Sequence, residues 1–186
     1  HGAGSDSRHG PVGRQREVSA GEVRLLTAIA DIAANAIHRE TLREQTVRQV
    51  ALALTGDIRE ARVAWQRAAF NVGAHNRDDH AKNVAFQMTE DGTWSVAPAY
   101  DLTYADGPGG YHTMLVAGES RAPGRADLLR LADDAGLSKA DAEKDLDQLL
   151  DALAAWPKLA AERGVSRGRT AAIRNTLDAQ SKRLAR

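Results

Sequence analysis

The chain has 186 residues, 42% of them hydrophobic, with 25 basic side chains balanced by 25 acidic ones and no cysteine. That length buries one core, or one lobe with an appendage, and zero net charge exerts no global pull toward nucleic acid or membrane. The lack of cysteine excludes disulfides, thiolate catalysis and cysteine-ligated zinc, and fits residence in the cytoplasm.

No apolar run reaches the length of about 18 residues that a membrane span needs, and no basic-then-apolar leader is visible, so no membrane partner is expected. The first residue is His1 rather than Met, as expected of a piece of something longer. Residues 1–18, rich in Gly, Ser and Arg, carry no apolar periodicity and are expected to be loose. Ser19-Ala20-Gly21-Glu22 has the form of a capping box, in which the Ser caps the first turn and the Glu reaches back. Leu26, Ala30, Ala33 and Ile37 follow at helical steps, and the stripe resumes at Val47, Val50 and Leu54 before Gly56 offers a stop. The spacing predicts one long amphipathic helix that needs a partner, and pairing with a second copy of the chain would supply one.

A second helix is predicted from Asp57 to Val72, with Ile58, Ala61, Trp65, Ala68 and Val72 on one side and Gly73 as breaker. Val84–Met88 and Trp94–Ala97 read as short strands, and Asp91-Gly92 between them is a strong hairpin signal. Pro98 limits pairing at the end of the second strand. Asp106-Gly107-Pro108-Gly109-Gly110 reads as a connecting loop rather than a phosphate cradle, because no helix N-terminus follows it. Helices are predicted over Asp127–Ala135, from a Ser138 cap through Leu146, Leu150 and Trp156 to a break at Pro157, and finally through Ile173, Leu177 and Leu184. Residues 126–151 hold eight acidic and three basic side chains, whereas 163–186 hold seven basic and one acidic. Two solvated helix faces explain this. The basic stretch lacks interleaved aromatics, so direct nucleic-acid binding is not expected.

The chemistry concentrates in Asn76-Arg77-Asp78-Asp79-His80-Ala81-Lys82-Asn83 and in Tyr100-Asp101. A kinase catalytic loop places an Asp four residues before an Asn and just after an Arg, and takes a metal-binding Asp from a later strand. Arg77-Asp78-(four residues)-Asn83 has that spacing, and Asp101 lies 18 residues beyond Asn83. The hairpin would bring Tyr100-Asp101 back toward Asp78 and Asn83. Two alternatives stay open at this point. Asn, Asp and His also crowd into loops through local turns, and His75 with Asp78, Asp79 and His80 could form a two-histidine, two-carboxylate hydrolase metal site. His112 reads as an ordinary loop or strand residue.

With Phe70-Asn71-Val72, the Asp-x-His-x-Lys-Asn core and Ala97-Pro98-Ala99-Tyr100-Asp101-Leu102, the chain resembles the C-terminal lobe of HipA-type serine/threonine kinases, the toxins of toxin–antitoxin pairs. The resemblance covers roughly residues 57–180. It implies ATP and Mg²⁺ as cofactors, with Asp78 as proton acceptor, Asn83 and Asp101 holding magnesium, His80 and Lys82 beside the phosphates, and Tyr100 beside the nucleotide. It further implies a protein substrate and a helix-turn-helix antitoxin partner. Residues 19–54 resemble the closing helix and linker of a GAF sensory domain, carried by Glu22 to Ile37.

The expected fold is therefore α+β and mostly α-helical: a kinase-like C-terminal lobe over 57–186 with a small hairpin at the active site, preceded by a long N-terminal helix. No lysine occurs before Lys82, and no strand precedes the one upstream glycine-rich stretch, so the nucleotide-covering lobe of a kinase is missing. Function is expected to be phosphoryl transfer from ATP to a protein hydroxyl, inactive without that lobe. A signalling or dimerisation module carrying an inert kinase remnant is the alternative.

Overall fold

The structure is a computed structural model that describes residues 49–186. The predicted loose terminus, the capping box at Ser19, most of the long N-terminal helix and its GAF-like likeness lie outside the described residues. Residues 49–55 are helical and stop at Gly56, whose φ of +64° suits a residue without a side chain.

Helix α1 spans Ile58–Gly73. It starts at Asp57 because that carboxylate accepts the Arg59 N–H at 2.8 Å, satisfying one of the free amides of the first turn. Gly73 is the last helical residue rather than a breaker. Its missing side chain admits a neighbouring helix, since a Cβ there would lie 3.0 Å from Leu149 Cδ2 and 3.1 Å from Leu153 Cδ1. After a 3₁₀ turn at Ala81–Asn83 come strands β1 (Phe86–Met88) and β2 (Trp94–Val96), antiparallel with Phe86 opposite Val96 and Met88 opposite Trp94. The ladder extends one step further through Ala97 N–H to the Ala85 carbonyl at 2.9 Å. At the turn, Gly92 takes a φ of +83°. Glu60 Oε2 accepts the Val96 N–H at 2.6 Å, which ties the hairpin to α1.

The remainder is helical: α2 (Arg125–Asp133), α3 (Lys139–Ala154), α4 (Trp156–Glu162) and α5 (Arg167–Leu184), with a second 3₁₀ turn at Pro108–Gly110. Helix α2 starts two residues earlier than expected. Asp127 is its third residue, and its carboxylate reaches back to the Gly124 N–H at 3.0 Å. Ser138 caps α3 as expected, accepting the Asp141 N–H at 3.1 Å. Pro157 falls in the first turn of α4, where the absent N–H costs no hydrogen bond.

Trp65 and Val72 of α1, Leu128 and Leu131 of α2, Leu146 of α3 and Leu184 of α5 form the main core. The Trp65 ring is fully buried, and its indole N–H donates to the Leu128 carbonyl at 2.9 Å. Two smaller clusters flank it: Leu153, Ile173 and Leu177 beneath α3 and α5, and Ala51, Ala64 and Val96 beneath the hairpin. The lobe is mostly helical α+β with one two-stranded sheet, as its sequence predicts. Among the described residues no helix is long and apolar enough to cross a membrane.

Candidate active site

Helix α1 ends beside the polar segment. His75 follows it with a φ of +58°, which turns the chain out of the helix. The Arg77 N–H then donates to the Ala105 carbonyl and the Ala105 N–H to the His75 carbonyl, both at 3.0 Å. This short parallel bridge between Asn76 and Ala105 holds the polar segment against the chain returning from the hairpin. Asn76 is fully buried. Its amide donates to Asn71 Oδ1 at 3.0 Å and to the Asp101 carbonyl at 3.4 Å, while its Oδ1 has no partner among the described residues.

Two side chains lock this segment onto the loop over residues 107–121. Arg77 donates from Nη1 to the Gly110 carbonyl at 2.6 Å and from Nη2 to the Arg121 carbonyl at 3.2 Å. Asp79 Oδ1 accepts the N–H groups of Thr113 (2.8 Å) and Met114 (3.2 Å), and its Oδ2 pairs with His112 Nδ1 at 2.9 Å. Asp79 and His112 are both buried, so His112 is a structural partner of the polar segment and not an ordinary loop residue. Asp78, between the two clamps, stays exposed, with Oδ1 3.0 Å from His80 Nε2. Its carbonyl accepts the His80 N–H at 3.0 Å and Asn83 Nδ2 at 3.1 Å, so Asn83 is left with its Oδ1 to offer.

The hairpin returns Tyr100-Asp101 to this place. Tyr100 Oη donates to the Lys82 carbonyl at 2.6 Å. Asp101 adopts a φ of +54°, a left-handed conformation that Asp tolerates better than most residues. Its carboxylate makes no hydrogen bond or ion pair with a described residue. Arg67 of α1 holds the start of the returning segment by donating from Nη2 to the Ala97 carbonyl, while its Nε and Nη1 are buried and have no partner among the described residues. Burial pushes the Arg67 pKa below the usual arginine value, and the nearby Tyr100 and Glu60 oppose that shift.

Of the six site residues expected from sequence, His80, Asn83, Tyr100 and Asp101 line one concavity, together with Arg67 and Asn76. Asp78 and Lys82 are not among its lining residues. Asp78 joins it through His80 and Asn83, and Lys82 is exposed, with its carbonyl held by Tyr100. Oxygen donors from an amide and a carboxylate suit a hard cation such as Mg²⁺. The four residues of the alternative hydrolase site have separate partners: His75 lies by Asp106 and Gln180, His80 by Asp78, and Asp79 by His112. Among the described residues no three His, Cys, Asp or Glu side chains cluster so as to hold a metal ion. Sequence reasoning missed the roles of Arg67, Asn71 and Asp79, for which spacing along the chain offers no signal.

Residues 27–156 match the family model described as HipA-like C-terminal domain. Among solved structures, the chain is similar to one from the Shewanella oneidensis MR-1 toxin–antitoxin complex of HipA, HipB and its operator DNA, with a TM-score of 0.57 and 23% identity. The likeness covers 73% of this chain and 34% of that one, so this chain spans about a third of that relative's length. No curated protein sequence matches.

Proposed function

The chain belongs to the family of HipA-like C-terminal domains, and from that premise we propose that it is the carboxy-terminal lobe of a serine/threonine kinase that uses ATP and Mg²⁺. The observation that carries this reading is the bridge between residues 75–77 and Ala105, reinforced by the Asn76 and Tyr100 hydrogen bonds. It brings Asn83 and Asp101, 18 residues apart, to the lining of one cleft beside the exposed Asp78.

Asp78 is the proton acceptor for a substrate hydroxyl. His80 orients one of its carboxylate oxygens and leaves the other for the incoming proton. Asn83 Oδ1 and the Asp101 carboxylate would hold magnesium. His80 and, from the cleft's rim, Lys82 would hold the phosphates, and Tyr100 the nucleotide. The magnesium nucleotide, when bound, supplies the electrophilic phosphoryl group. Asn76 and Arg67 hold the Asp101 segment from its two ends, through the carbonyls of Asp101 and Ala97. The relative in the solved complex is bound with HipB and operator DNA, and we extend to this chain a helix-turn-helix antitoxin as partner.

Titration calorimetry with ATP and Mg²⁺ tests the assignment. Asp101→Asn suits the left-handed backbone while weakening the cation ligand. It is expected to lower the Mg²⁺-dependent affinity at least about tenfold, since two ligands make the site, with helical circular dichroism unchanged. Equal affinity in variant and parent overturns the assignment.

A further inference from the structure

Away from the cleft, a groove runs between the start of α2 and the end of α5. Four cations line it: Arg125, Lys182, Arg183 and Arg186, over a floor of Ala126 and Ala179. Little negative charge answers them. Asp147 reaches Arg125 Nη1 only at 3.5 Å and is mostly exposed, the Asp127 carboxylate is occupied by the Gly124 N–H and Arg130, and Glu119, which the Arg121 and Ala122 N–H groups and to a lesser degree Arg183 hold below the usual carboxylate range, spends one oxygen on those two N–H groups. Helix electrostatics account for Lys182 and Arg183, which sit in the last turn of α5, where cations are favoured. Arg125 opens α2, where that helix's own dipole favours an anion, and it is held there by the end of α5, its Nη1 donating to the Leu184 carbonyl at 3.2 Å. A cation at that end, facing three more across a groove floored by two alanines, makes a positive concavity that an anion would satisfy.

We propose that this groove is a binding site for a small, multiply charged phosphate-type anion, separate from the cleft that holds Asp101. The cations converge on one hollow instead of spreading along a face, which suits a compact oligophosphate better than a long polymer. The groove also connects to the polar segment. The Arg183 stem lies over Gly124, with Cγ 3.4 Å from where a Cβ would stand, so a larger residue at 124 would crowd it. Arg183 Nη1 donates to Gln180 Oε1 at 2.7 Å, and Gln180 Nε2 lies 3.2 Å from His75 Nδ1, next to Asn76. An anion that draws Arg183 away from Gln180 therefore alters the surroundings of His75.

Tripolyphosphate in magnesium-free buffer at low salt is the probe, titrated into the full chain by calorimetry. Parent and Asp101→Asn are expected to bind it equally, with affinity falling as salt rises. The double variant Lys182→Glu/Arg186→Glu, both positions exposed, is expected to bind at least tenfold more weakly at unchanged circular dichroism. Binding is also expected to shift the His75 ring resonances. Equal affinity in the double variant, loss of binding in Asp101→Asn, an unmoved His75 ring, or binding to a DNA duplex alone would each overturn the proposal. A failed nucleotide assignment leaves these outcomes intact, because none of them needs ATP or Mg²⁺.

Discussion

His75 shows how one buried ring makes stability depend on pH. Its Nε2 lies 3.1 Å from Asp106 Oδ1, Gln180 Nε2 faces Nδ1, and the ring packs on Tyr104 at 5.2 Å between centroids. Burial, the largest cause, lowers its pKa, and the Asp106 hydrogen bond offsets this in part. The unfolded chain therefore binds the proton first as pH falls through about 6.5, and stability declines from there down to the folded value, by at most about 1.4 kcal/mol per pH unit. Urea midpoints at about pH 7 and 5.5 are expected to show this loss in the parent and a smaller one in His75→Asn, a residue that tolerates the +58° φ. An unchanged pH slope in the variant would place the titrating group elsewhere. Gly107 makes a steric argument of the same size. Its φ is +70°, and a Cβ would lie 2.4 Å from the Tyr111 carbonyl oxygen and 2.6 Å from Arg77 Cβ. Gly107→Ala is expected to cost about 2 kcal/mol or more in chemical denaturation, because backbone strain and a clash with main chain add.

Between elements, Arg62 joins the helix leading into the site to the body of the lobe through two ion pairs, a loose one to Asp141 at 3.5 Å and a close one to Asp145. Arg62 of α1 donates from Nε and Nη2 to both oxygens of Asp145 on α3, at 2.8 and 2.7 Å, and Gln66 adds a third bond at 2.9 Å. The Arg62 hydrogen bonds are the main cause holding the Asp145 carboxyl below the usual carboxylate range. The pair's contribution is thus complete above the ordinary Asp value of about 4 and fades as pH drops through the folded value. Asp145→Ala leaves Arg62 and Gln66 facing a vacated acceptor and is expected to cost about 2 kcal/mol, less than a fully buried pair because a third of the Arg62 side chain is exposed. The double change Arg62→Met/Asp145→Leu is expected to cost less than the sum of the two single changes. Strict additivity in a double-mutant cycle would show the two side chains to be uncoupled.

For the molecule as a whole, phosphoryl transfer depends on positioning and charge stabilisation over the entire phosphate chain. The residues proposed for catalysis all lie between Asp78 and Asp101 and would meet it from one lobe. A glycine-rich cover and a strand lysine supply donors each worth factors of about 10² to 10³, and the 77 residues before Asp78 hold no lysine. The chain as it stands is expected to show no measurable phosphotransfer, and to gain it when a family amino-terminal lobe is joined ahead of about residue 57. Asp78→Asn, which keeps the shape but not the basicity, is expected to abolish the gain in a radiolabelled ATP assay. Activity of the joined protein that survives Asp78→Asn would assign the proton acceptor elsewhere. Autophosphorylation by the unjoined chain would show its machinery to be complete.

Local chemistry was enough to determine much of this protein. Asp57 and Ser138 cap their helices, Asp91-Gly92 turns the hairpin, and the Asp78–Asn83 spacing with Asp101 beyond the turn picks out residues that gather at or beside one cleft, because each signal acts over a few residues or along one hairpin. Tertiary structure decided the rest. Arg62 finds Asp145 from 83 positions away, Gln180 finds His75 from 105, and Asp79 finds His112 from 33. Such partners are chosen by which helix faces pack together, and a carboxylate has the same local pattern whether its partner lies nearby or across the core. The left-handed turn at Asp101 was equally hidden, since its hold on the carbonyl comes from Asn76, a residue placed there by the end of α1.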